Sequence, residues 1–138
     1  MRITLCLAIA SVLLLLAALP LAAHHAFAAE FDSTQPVKVK GTIAKMEWTN
    51  PHAWLHIDVA DPQGKVNSWA IELAAPNSML RRGWNNKSIP AGTQIVVDGW
   101  QAKNGSRTAN GGNVTLPDGR KLFVGSSGSG APIDGPGK

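Results

Sequence analysis

Four histidines, His24, His25, His52 and His56, are the residues whose type and spacing suggest a definite chemistry. The first two sit in "LAAHHAFAAEFD", where an apolar leader gives way to polar chain. A peptidase cut after Ala23 would make His24 the first residue of the mature protein. Its free amine and its imidazole could then chelate one Cu(II) ion, and imidazole is a ligand that suits copper. A further histidine would complete a set of nitrogens. His52, in "TNPHAW", is the candidate, because Pro51 fixes the chain just before it. Asn50 and Trp54 flank that corner and would shape the surface around the ion. Low pH would protonate the nitrogens and release the metal. His56 falls outside the set, since four residues of strand put it about 13 Å from His52. The plainer reading is that His24 and His25 are incidental to a cleavage site, His52 caps a turn and His56 is a solvated strand residue.

Other chemistries find little support. The single cysteine, Cys6, lies early in the leader, so the mature chain has no disulfide, no thiolate ligand and no cysteine nucleophile. Carboxylates are sparse, and none reads as a paired acid and base or as a partner for the histidines. No serine sits in a nucleophile-elbow pattern and no glycine-rich loop opens a helix. An enzyme is the less economical reading. Five tryptophans are many for so small a domain. Trp54 alternates with its strand's apolar set and should face outward, where an aromatic can stack on a sugar ring. The alternative function is therefore a module that grips a saccharide or another exported protein through a Trp face. Against it, the outward aromatics can bury beneath the arm carrying Phe27 and Phe31.

The leader sets the compartment. Met1-Arg2 is followed by "ITLCLAIASVLLLLAALPLAA", an uncharged run with a helix breaker, Pro20, near its end. Residues 1–23 read as a secretory signal peptide, which implies a periplasmic or secreted protein with no membrane attachment after cleavage. The run is also long enough to remain as an anchor. A second possible cut, after Ala28, would discard both histidines. The formal charge is +4, of which Arg2 leaves with the leader, and the rest is scattered apart from Arg81-Arg82. Nucleic-acid binding would need a basic stripe, so it is not expected.

Residues 24–124 form one domain's worth of chain, and 125–138, "GSSGSGAPIDGPGK", read as a disordered tail. The periodicity is mostly two. Val37, Val39 and Ile43 share one parity, Met46 and Trp48 the other, which predicts a β-bulge between Gly41 and Lys45. "HAWLHIDV" and "VNSWAIEL" form a hairpin about the "DPQG" turn. "APNSMLRRGW" reads as a short helix, capped by Asn77 or Ser78, packed through Met79 and Leu80 and stopped at Gly83. Gln94–Trp100 is a fourth strand, "AKNGSRTANGG" a flexible connection and "NVTLPDGRKLFVG" a closing hairpin. The order predicts an all-β chain with one short helix, a small OB-like Greek-key β-barrel.

With these residues in view, the chain resembles a family of exported bacterial proteins of unknown function. The resemblance rests on "AHHAFAAEFD", "PVKVKGTIAKMEWTNPHAW", "DVADPQGKVNSWAIEL", "PNSMLRRGW" and "GTQIVVDGWQAKNGSRTANGGNVTLPDGRKLF". It implies an OB-like barrel outside the cytoplasm and no known activity. It also implies that His24 and His25 belong with His52, which recur together in that family, while His56 is not part of the pattern.

Overall fold

The computed structural model describes residues 26–126 and Ala131. The leader, His24, His25 and most of the tail lie outside the described residues. In chain order the elements are α1 (Ala26–Glu30), β1 (Phe31–Glu47), β2 (Trp54–Ala60), β3 (Val66–Glu72), α2 (Pro76–Arg81), β4 (Gln94–Ala102), β5 (Thr108–Thr115) and β6 (Lys121–Phe123). Most of the fold is β-sheet, with α2 between the third and fourth strands. Among the described residues no helix is long and apolar enough to cross a membrane.

The strands hydrogen-bond in the order β3-β2-β1-β4-β5-β6, and β3 also pairs with β5. That last pairing is parallel, while the others are antiparallel. Strand pairing therefore runs from β1 through β2, β3, β5 and β4 back to β1. The 17-residue β1 pairs with β2 near one end and with β4 along most of its length. Its register against β2 shifts between Ile43 and Lys45, where the change of parity predicted a bulge. Gly41 is needed beside this bend. A Cβ there would lie 2.7 Å from the Asp58 carbonyl oxygen on β2.

One set of strand positions fills the core. Leu55, Ile57, Ile71, Val97, Ala109 and Val114 are fully buried, and Met79 and Trp84 close one side. The helix α2 that carries Met79 begins with Pro76, whose fixed φ suits a first helical position, so Ala75 is the N-cap and neither Asn77 nor Ser78 caps it. Only Met79 of the expected pair packs inward, since Leu80 is 51% exposed. Arg82 donates to the Gly125 carbonyl at 2.7 Å, and its guanidinium lies 4.8 Å from the Phe123 ring centroid. The chain turns away at Gly83, with φ +84°.

The stretch read as a flexible connection contains the first part of β5, Thr108 to Gly112. Gly111 lies inside that strand, where a Cβ would press on Ile71 and Val124 at 3.0 and 3.1 Å. The glycines here permit a close crossing of chains and do not mark a loop. Val124 completes the crossing: its amide donates to Gly112 and its carbonyl accepts from Ala74.

A second, smaller cluster ties down the N-terminal arm. Phe27 and Phe31 are 3% and 2% exposed, and both pack with Trp100 and Ala102, alongside Ala131. Phe27 meets Trp100 edge-on at 5.6 Å between ring centroids. The arm is also held by polar contacts from Lys103, whose amide donates to the Glu30 carbonyl and whose Nζ donates to that of Ala28. This is the aromatic cover expected of the arm.

Candidate functional site

The strand register builds the site. Glu47 pairs with Trp54, Trp54 with Glu72, Glu72 with Asn110 and Asn110 with Trp100. Directly paired residues place their side chains on the same face of a sheet. This row is one step out of phase with the core row of Leu55, Ile71 and Ala109, so it points away from the core. Glu72 is nevertheless only 7% exposed and Asn110 2%. The arm lies near this row: Phe27 meets Trp100 edge-on, and Glu30, at the end of α1, lines the same cavity as Glu72.

His52 precedes Trp54 of this row by two residues. The cis Asn50–Pro51 bond precedes it. Just after it, Ala53 extends the β2–β3 ladder by exchanging backbone hydrogen bonds with Leu73 and Ala74. That ladder brings the His52 ring beside Glu72, and His52 Nδ1 is hydrogen-bonded to Glu72 Oε1. Asn110 Nδ2 donates to the same oxygen at 3.4 Å, leaving Asn110 Oδ1 without a hydrogen-bond partner among the described residues. Burial is the largest influence on Glu72 and pushes its carboxyl above the usual range. The His52 ring opposes that shift, and the nearby Glu30 charge adds to it.

A cavity of about 290 Å³ opens beside the pair, lined by Glu30, Pro51, His52, Trp54 and Glu72. Trp54 is half-buried in its wall, and Asn50, expected to shape this surface, is exposed and does not line it. His56 belongs elsewhere. Its Nε2 lies 3.3 Å from Glu47 Oε1 but off the direction of a hydrogen bond. Glu47 is itself held below the ordinary carboxylate range, chiefly by its hydrogen bond with Lys45.

No carboxylate partner for the histidines is expected from the sequence alone, and Glu72 is that partner for His52. The signal was present in the hairpin. Counting back from the "DPQG" turn pairs Ala60 with Val66 and, six residues on, Trp54 with Glu72. His24 and His25 lie outside the described residues, so the structure does not place them against His52. Among the described residues no three His, Cys, Asp or Glu side chains gather as a metal-binding group.

Residues 12–111 match the model of a family of unknown function, DUF6152. The chain belongs to that family. The matched span of this family member takes in His24, His25, His52, Glu72 and Asn110. No curated protein and no solved structure matches the chain.

Proposed function

We propose that this DUF6152 protein is an exported binding module that holds a copper-type divalent ion through His24, His25 and His52. The observation that carries this reading is the His52–Glu72 pair at the edge of a cavity walled by α1. Metal-binding histidines characteristically give their second ring nitrogen to a carboxylate or carbonyl. Here Glu72 occupies Nδ1, and Nε2 is the nitrogen left for an ion. Glu30 of α1 lines the same cavity, and the first residue of α1, Ala26, directly follows His25.

The arm also bears on the signal cut. Processing after Ala28 would remove Phe27, a ring buried against Trp100, together with the carbonyl that Lys103 Nζ holds. Processing after Ala23 keeps that anchor and leaves His24 as the chelating terminus. The circular pairing β1-β2-β3-β5-β4-β1, with α2 between the third and fourth strands, supports an OB-like Greek-key barrel as the scaffold. A periplasmic or secreted location follows from the leader.

The second reading is a module for a saccharide or an exported protein partner. What favours it is Trp54, half-buried in the wall of the same cavity. Two measurements separate the readings. Mass spectrometry of the exported protein should find His24 at the N-terminus, and copper titration should show His52→Ala weakening affinity about tenfold or more. An N-terminus at Ala29, or equal affinity in the two proteins, would refute the metal reading.

A further inference from the structure

We infer that Glu72 is the positioning residue of His52: it fixes the ring with a proton on Nδ1 and leaves Nε2 as the ligand atom. The metal role of that nitrogen rests on the function proposed above, whereas the fixing of the ring does not.

A neutral imidazole carries its proton on one nitrogen, and the partner of the other nitrogen decides which. An ionised carboxylate only accepts hydrogen bonds, so beside Nδ1 it requires the proton there. Glu72 cannot easily swing away from this task. It is 7% exposed, stands on β3 between Trp54 and Asn110 in the strand register, and its Oε1 also receives the Asn110 amide. Asn110 is 2% exposed and holds the carboxylate from β5, on the side of β3 away from β2. The chain Asn110–Glu72–His52 therefore runs from the buried β5 out to the cavity. His52, with its side chain 26% exposed, is the member that reaches solvent.

The other role such a contact can have is that of a buried ion pair that only stabilises the fold. A structural pair would need no particular nitrogen to be left open. A ligand needs one lone pair aimed in one direction, which is what a carboxylate on the other nitrogen supplies.

The test uses the processed protein without metal and then with Cu(II) alone. Long-range nitrogen–proton NMR correlations, recorded at mildly alkaline pH, report which nitrogen of His52 carries the proton. In wild type the proton should be on Nδ1. Glu72→Gln keeps the size of the side chain but can either accept or donate, so the preference for Nδ1 should be lost. Copper affinity should fall about 10–100-fold, the range usual for loss of a residue that orients a metal ligand. The Lys103 amide, which reports the arm, should keep its protection in the variant. A proton on Nε2 in wild type would overturn the inference, whether or not the variant folds. So would unchanged copper affinity in Glu72→Gln when His52→Ala weakens binding. If His52→Ala leaves copper affinity unchanged, the metal reading fails, and the NMR comparison alone then confirms or refutes the fixing of the ring.

Discussion

Replacing Phe27 with alanine should release the N-terminal arm while leaving the sheet folded. Phe27 is 3% exposed, and truncating a buried phenylalanine costs about 3–5 kcal/mol where the site cannot collapse. The arm has little to set against that loss. Ordering the five residues of α1 costs roughly 1–2 kcal/mol each in backbone entropy. With Phe27 gone, the Phe31 ring and the Lys103 contacts must offset that cost alone. Burial of one phenylalanine contributes only about 1.5–3 kcal/mol. The balance tips toward detachment, so the cost of the mutation is capped by local opening and the core is spared. Hydrogen exchange reads this directly, because the Lys103 amide donates to the Glu30 carbonyl at 2.9 Å. In Phe27→Ala that amide should lose its protection, whereas amides of β4 such as Val97 keep theirs. Trp100 fluorescence should move toward that of a solvated indole. A Lys103 amide that stays as protected as in wild type would refute the reasoning, since the arm would then be held by something other than the aromatic cluster.

Three further outcomes follow from the packing and the turns. Gly99→Ala would drive a methyl group into the Asn110 carbonyl oxygen, and forced overpacking of this kind costs about 1–3 kcal/mol. Denaturant melts should show the loss, and NMR shifts should spread through Asn110 to Glu72. Met79→Ala should cost about 2–5 kcal/mol because the side chain is fully buried. Its neighbour Leu80→Ala should stay within about 0.5 kcal/mol, and equal effects would show that α2 is turned differently. Asp118 in the closing hairpin accepts from the Arg120 amide at 3.0 Å, and this bond is the main reason its carboxyl lies below the usual range. A lowered carboxylate stabilises the fold above its unfolded-state pKa and loses that contribution as pH falls through the folded value. The thermal midpoints of wild type and Asp118→Asn should therefore converge in acid, and a gap that stays constant would contradict the assignment.

Much of the sheet could be read from parity alone. The clash between Val39 and Ile43 on one side and Met46 on the other located the bulge, because a strand cannot bury both parities without an extra residue. The first part of β5 escaped the same reading, whereas Asn113 to Thr115 fall within the expected closing hairpin. The sequence of β5, "TANGGNVT", is polar and glycine-rich, and what makes it a strand is the closeness of its neighbours: Asn110 against Gly99 and Gly111 against Ile71 and Val124. Such contacts join residues far apart in sequence and leave no periodic signal. The site was half legible for a related reason. Pro51 and His52 stand out as residues, but Glu72 reads as an outward strand position. α1 comes from the other end of the chain, and its Glu30 lines the same cavity as Glu72 and His52. Leu80 shows the converse: an apolar residue in the right pattern that no neighbour covers.

The central claim is that one ion is gathered by the processed N-terminus and His52. Pulsed EPR of the exported protein loaded with one equivalent of Cu(II) tests it most directly, because remote imidazole nitrogens modulate the signal and can be counted. The account predicts that His52→Ala removes one coupled imidazole from the wild-type spectrum. Identical spectra from the two proteins would place the ion elsewhere and contradict it.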